Sequence, residues 1–457
     1  LDGALTRLIH YEGVEETFNV SPWSYAFDTS VTKVSLDNSR FYSWWSTQML
    51  LTNRPLKENL ALFWHNHFAV SGSKIEDGSM MLGYLNVLRE NANGNFRKML
   101  SNVAHDPAMI KWLDSDTNIK GKPNENFGRE VMELFTLGIG HYTEKDVQEA
   151  ARAFTGWSVK YAVNFPRKTP YYNQVRMNLE ADRPMYCFCD CPALHDDGFK
   201  TILGKRGTFN AEQTFDILVD HPAHAPFLMK KMFEWFVYPN PEPAALEKLC
   251  KVYRDGNYEI KPVIMYLATS DEFWSDKAQR AVVKSPVAYT IGLGRQLGLG
   301  PALAKGANLN CAATEPVGGS LLGMGYFLAN VMQKQGLQLL FPPDVSGWRW
   351  GTHWITSAAM MERVRIGDYL FNQRRGLVVP NLWKNINDAY SPKTTADIVN
   401  AMVAWFDAPL SDDDKKVLVD AADKAGGVKA FAKAGTAGPV MDSVFRLIAS
   451  TPEYQMC

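Results

Sequence analysis

Residues 143–157 read TEKDVQEAARAFTGW, and the reading of this stretch decides the fold class. Thr143 and Asp146 have capping-box spacing with Asp in place of Glu, and Val147, Ala150, Ala151 and Phe154 then recur at helical spacing. A helix that starts at Thr143 and buries one face is predicted. The same grammar continues outward. In NAEQTFDILVDHP (210–222), Asn210 caps, Gln213 reaches back, and Pro222 lies just past the end. Similar periodicity runs through 226–237, 244–254, 260–269, 320–335, 395–406 and 440–449, while strand-like alternation is rare. The expected fold is mainly α: a large multi-helix globular body with an irregular, partly β insertion near 158–208. That insertion holds four prolines and few helical repeats. On this reading the chain divides into an N-terminal helical part (1–157), the insertion (158–208) and a C-terminal helical part (209–457).

The whole chain bounds the answer further. Its 457 residues suffice for two or three ordinary domains or one large helical body. With 48 Lys+Arg against 49 Asp+Glu, the net charge of −1 supplies no global field toward nucleic acid or an anionic membrane, and no nucleic-acid partner is expected. Aromatic residues make up 12% against 21% charged, which argues for a packed protein and against disorder. No apolar run approaches the roughly 18–20 residues of a bilayer span, so no transmembrane span is expected. The chain begins at Leu1 without Met, and the expectation is a processed or incomplete chain from which any signal peptide is already absent.

Chemistry gathers in four places. The first is ALFWHNHFAVS (61–71), where His65 and His67 stand two apart in an aromatic run. On an α-helix such residues point roughly 200° apart, so the two cannot face one metal while the run stays helical. Glu58 precedes His65 by two turns and shares its face. Neutral imidazole is the commonest metal ligand, yet a pair of semi-buried histidines bracing neighbouring helices is the plainer alternative.

The second place is PNENFGREVMELFTLGIG (123–140). Phe127, Val131, Leu134 and Phe135 form a core face, while Asn126, Glu130 and Glu133 form a polar stripe with Glu125 and Arg129 alongside. A solvated face explains such a stripe, but Glu-x-x-Glu is also spaced for joint ligation of one cation or for a general base beside a ligand. The third is ALHDDGFKTILG (193–204), in which His195, Asp196 and Asp197 precede Lys200 and could equally make a turn. Just upstream, Cys187, Cys189 and Cys191 lie within MYCFCDCPALHD. They could take a soft metal with His195, or form disulfides to Cys250 or Cys311. The fourth is LLFPPDVSGWRWGTHWITSAAMMER (339–363), a rigid loop bearing Trp348, Trp350 and Trp354, with Thr356 or Ser357 capping the helix after it. It reads as a stacking pocket for a flat ligand or as a hydrophobic plug.

Taken in order, ENLALFWHNHFAVS, DPAMIKWLD, NENFGREVMELFTLGIGHYTEKDVQEAARAFTGW, HDDGFKTILG, PPDVSGWRWG and STPEYQ resemble a large bacterial family catalogued as domain of unknown function 1800. The resemblance spans about residue 50 to 457. It implies a mainly helical protein, usually exported and often accompanied by a second secreted protein of unknown function, so an extracytoplasmic location is expected. The name brings no established reaction or cofactor. The family motifs fall on Glu58, His65, His67, Asn124, Glu125, Arg129, Glu130, Glu133, His195, Asp196 and Lys200. The cysteine triplet departs from the family pattern, and family members carry more helical sequence ahead of the Trp-His-Asn-His motif than the roughly 60 residues found here.

Two functions follow from these readings. One is a metal-dependent enzyme, hydrolytic or redox, in which Glu58, His65, Glu130 and Glu133 hold a divalent or transition metal ion between helices and His67, Arg129 or His195 supplies acid, base or orienting groups. The other is a non-enzymatic secreted scaffold or assembly subunit whose polar motifs form a buried network. The contiguous His-Asn-His letters do not indicate an HNH nuclease, whose named residues are dispersed through a ββα fold. The cysteine cluster in an oxidising compartment predicts that at least two of the three are bonded, by disulfide or metal.

Overall fold

Thr143 caps the helix its spacing predicts. Its hydroxyl accepts from Asp146 N at 3.2 Å, the Asp146 carboxylate accepts from Thr143 N at 2.9 Å, and Val147, Ala150 and Ala151 are buried. Asn210 and Gln213 close the second capping box with two bonds of 3.1 Å. The computed structural model describes residues 2–27, 33–162, 169, 171–180, 183–371 and 382–457. Helices dominate, and the only strands among the described residues form two two-stranded antiparallel sheets. No helix among them is long and apolar enough to cross a membrane.

The elements that position the site are, in chain order, α1 (Asn38–Leu51), α2 (Pro55–His67), α3 (Gly78–Glu90), α4 (Asn126–Glu130) with a π-helical turn (Val131–Thr136), α5 (Glu144–Ala153), strands β1 (Trp157–Tyr161), β2 (Tyr186–Asp190), β3 (Lys200–Ile202) and β4 (Lys205–Gly207), then α6 (His224–Phe236), α7 (Pro243–Asp255) and α8 (Gly319–Lys334). One hydrophobic cluster takes buried residues from Ile9 to Tyr454, so the helices before and after the insertion share a core. The α1–α8 pair is packed tightly enough that a Cβ at Gly325 would lie 2.3 Å from the Ser43 carbonyl oxygen. Glycine there lets the two backbones touch.

The insertion is partly β as expected, but it also contains a helix, Tyr171–Glu180, that its composition hid. Positions 163–168, 170 and 181–182 of it lie outside the described residues. In the β1–β2 ribbon Val159 pairs with Phe188 and Lys160 with Cys187. Because strand side chains alternate, Val159, Tyr186 and Phe188 share one face and Ser158, Lys160, Cys187 and Cys189 the other. The first face packs on the core, with Phe188 at 4.4 Å from the His105 ring. The second carries the thiols.

Candidate functional site

Pro55 at the first turn starts α2, and the helix runs unbroken through His67. Glu58 is buried but engaged. The Arg89 guanidinium of α3 grips it with bonds of 2.7 Å and 3.0 Å, and Trp45 Nε1 donates to it at 2.8 Å. His65, on the same face as predicted, lies in an aromatic cage, stacked on Trp45 at 5.9 Å and 5.2 Å from Trp348, with Tyr84 edge-on. Among the described residues neither ring nitrogen has a hydrogen-bond partner. Burial pushes its pKa down to about 4, so the ring is neutral at pH 7. Asn66 Oδ1 accepts from Trp348 N at 2.7 Å. Gly347, at φ +85°, passes so close that a Cβ would lie 2.4 Å from Asn66 O and Oδ1. The His-Asn-His triplet thus clasps the proline-tryptophan loop.

His67 points away from His65, as a helical run dictates. Its Nε2 lies 3.0 Å from the Phe135 carbonyl oxygen, which only accepts, so Nε2 carries the proton. Nδ1 then accepts from Lys231 Nζ at 3.3 Å. Burial, reinforced by the Lys231 charge, holds the pKa well below the usual value.

The partner carbonyl belongs to the π-helical turn. From Val131 onward the bonds run i→i+5, the turn widens, and the polar stripe read at α-helical spacing is re-aimed. The last carbonyls of any helix lack partners within it. Here Leu134 O takes Lys231 Nζ at 3.3 Å, Phe135 O takes His67, and Thr136 O takes His224 Nδ1–H at 3.0 Å. His224 Nε2 in turn accepts from the Tyr253 hydroxyl at 2.9 Å. Glu133 accepts from the Tyr142 hydroxyl, and Glu130 is pushed up by burial and by the Glu133 charge. Arg129 faces outward, paired with Glu144 at 2.7 Å and Glu125 at 3.4 Å. It is a surface ion pair.

The third motif docks the insertion on α5. Arg152 holds Asp196 with bonds of 2.8 Å and 3.1 Å, His195 Nδ1 donates to Thr155 O at 2.9 Å, and Lys200 Nζ donates to Asp196 O and Gly198 O. Asp197 pairs with Lys120 at 3.6 Å. In the fourth, Trp348 and Trp354 are buried and Trp350 stacks on Trp235 at 4.0 Å. The loop is mainly a plug.

This geometry separates residues that the sequence reading sets side by side. Among the described residues no three His, Cys, Asp or Glu side chains are grouped to hold a metal ion, so Glu58, His65, Glu130 and Glu133 do not converge. The reason is local: Arg89 and Trp45 occupy Glu58, aromatic rings wall off His65, and it is His67 that reaches the Glu133 turn. All six cysteines are free, with Cys250 and Cys311 sunk in the helical core while the triplet lies on the ribbon.

What the turn does build is one wall of a cleft of about 830 Å³, lined among others by Glu133, His141, His221, Phe227 and Lys231. Lys231 Nζ sits 4.4 Å over the Phe227 ring, and burial brings its pKa down to about 8. The His141 and His221 rings are 6.4 Å apart. Sequence reasoning passed over Lys231 and His224. The available signal was a lysine four residues after Phe227, one turn further along an apolar helix face.

A family model described as a protein of unknown function, DUF1800, matches residues 9–456. The chain belongs to the DUF1800 family. No curated protein and no solved structure matches it. In this DUF1800 protein, Glu58, His65, Asn66, His67, His195 and Asp196 hold one segment of the fold to another. The π-helical turn and α6 present Glu133, Lys230 and Lys231 to the cleft.

Proposed function

We propose that this DUF1800 protein is an extracytoplasmic enzyme whose acid–base chemistry takes place in the cleft between the π-helical turn and α6. The observation that carries the reading is Lys231, an amine with its pKa brought near 8 by burial, fixed by His67 Nδ1 and Leu134 O at the edge of that cleft. Perturbed titration in a concave site with convergent polar groups is the usual mark of a catalytic acid or base. The neutral amine can take a proton, and the ammonium can return it or stabilise developing negative charge. Glu133, held by Tyr142, stands on the same wall, while Leu134, Leu137, Phe227 and Leu246 make the rest of the lining apolar. This suits a substrate with an apolar body and one carbonyl or anionic group. The metal-dependent form of the reading has weaker support, since the four residues expected to share an ion are engaged or walled off separately.

The test is competitive acylation of the lysines of the native protein across pH 6 to 11, read by peptide mass. Lys231 is expected to reach half-reactivity near pH 8. Half-reactivity of Lys231 near the ordinary lysine value of about 10.4 sinks the proposal. A stoichiometric transition metal in the purified protein would revive the metal-dependent form. A second reading, a scaffold with a second secreted protein as its partner, is favoured by the motif-to-motif bonding of α2. It gains if Lys231 titrates normally and no metal is found.

A further inference from the structure

The outward face of the β1–β2 ribbon carries Ser158, Lys160, Cys187 and Cys189, and Cys191 follows directly after the strand. Cys189 Sγ and Cys191 Sγ are 3.9 Å apart, a separation that side-chain rotation can close to a bond of about 2 Å. We propose that Cys189 and Cys191 form a redox-active dithiol that reduces external disulfides by thiol–disulfide exchange. The Lys160 ammonium, on the same face of the ribbon, draws the Cys189 pKa below the usual thiol value, while that of Cys191 is raised, first by what burial it has and then by its neighbour Cys189. The two thiols therefore have different tasks. Cys189, as thiolate, attacks one sulfur of the external disulfide, and the other sulfur leaves as a thiol after taking a proton. Cys191 then loses its proton and displaces the substrate sulfur from Cys189. One external disulfide becomes two thiols, and the two protein thiols become one disulfide, so electrons balance without another reagent.

The first face of the ribbon is fixed to the core by Trp157 and Phe188, whose rings lie 4.9 Å and 4.4 Å from His105, so the thiol face has a rigid backing.

The test exposes the fully reduced protein to oxidised glutathione in one arm and to a disulfide-linked peptide in the other, with quenching by acid and mapping by peptide mass. Wild type and Cys187→Ser are expected to end with a Cys189–Cys191 bond. Cys191→Ser is expected to stop as a mixed disulfide on Cys189. Lys160→Met should be slower than wild type at pH 7 and equal to it near pH 10, where the thiol ionises unaided. A faster peptide arm identifies protein disulfides as the substrate, and a faster glutathione arm identifies the small-thiol pool. Persistent mixed disulfides in wild type, indiscriminate modification of all three cysteines, or a metal ion bound by the triplet would each overturn the proposal.

Discussion

Replacing His65 with Phe separates a structural imidazole from a functional one, because no hydrogen bond is lost and an aromatic ring remains within the cage of Trp45, Tyr84 and Trp348. In the folded protein the His65 pKa is about 4 against the ordinary 6.5. The unfolded chain therefore takes up the proton first, and the stability is present above pH 6.5 and lost as pH falls toward 4. Evaluating that linkage, the penalty on wild type is about 2 kcal/mol at pH 5 and only about 0.2 kcal/mol at pH 7. Phe is larger than His, and overpacking costs about 1–3 kcal/mol, but that cost is common to both pH values. Other titrating groups cancel in the same way. Urea unfolding of wild type and His65→Phe at pH 7 and pH 5 should show the variant gaining about 2 kcal/mol relative to wild type between the two conditions. A change below about 0.5 kcal/mol would mean that His65 has a polar partner or a bound ion in the folded protein, and the reasoning fails.

Two further outcomes are expected. Arg89→Met strands the buried Glu58 carboxylate and should cost about 3–5 kcal/mol at pH 7, whereas the double variant Glu58→Leu with Arg89→Met should recover most of it; equal losses in single and double variants would show that the pair is not what matters. Gly347→Ala places a methyl group against Asn66 at positive φ and should destabilise by about 2 kcal/mol more than Gly351→Ala, which has the same backbone constraint but open space around it; thermal unfolding decides, and equal effects contradict the clasp.

Helices were legible wherever their signals are local. Thr143 with Asp146 and Asn210 with Gln213 need only three residues of spacing, and both boxes form. The α2 face was also readable, since helical geometry alone sends His65 and His67 in different directions. The candidate site was not, because its meaning depends on partners distant in sequence. Glu58 is decided by Arg89, 31 residues on, and His67 by Phe135 and Lys231, 68 and 164 residues on. Glu130 and Glu133 looked like a ligand pair because an α-helix was assumed. A single π-helical turn changes their bearings, and nothing in VMELFT announces it.

The Asn66–Trp348 bond spans 282 residues, and α1 meets α8 across a similar stretch. A nascent chain therefore leaves the Trp348 side of the His65 cage open until the proline-tryptophan loop emerges. Loop closure over such a distance carries its entropy cost before any contact repays it. Completion of the His65 cage thus waits on the final third of the chain.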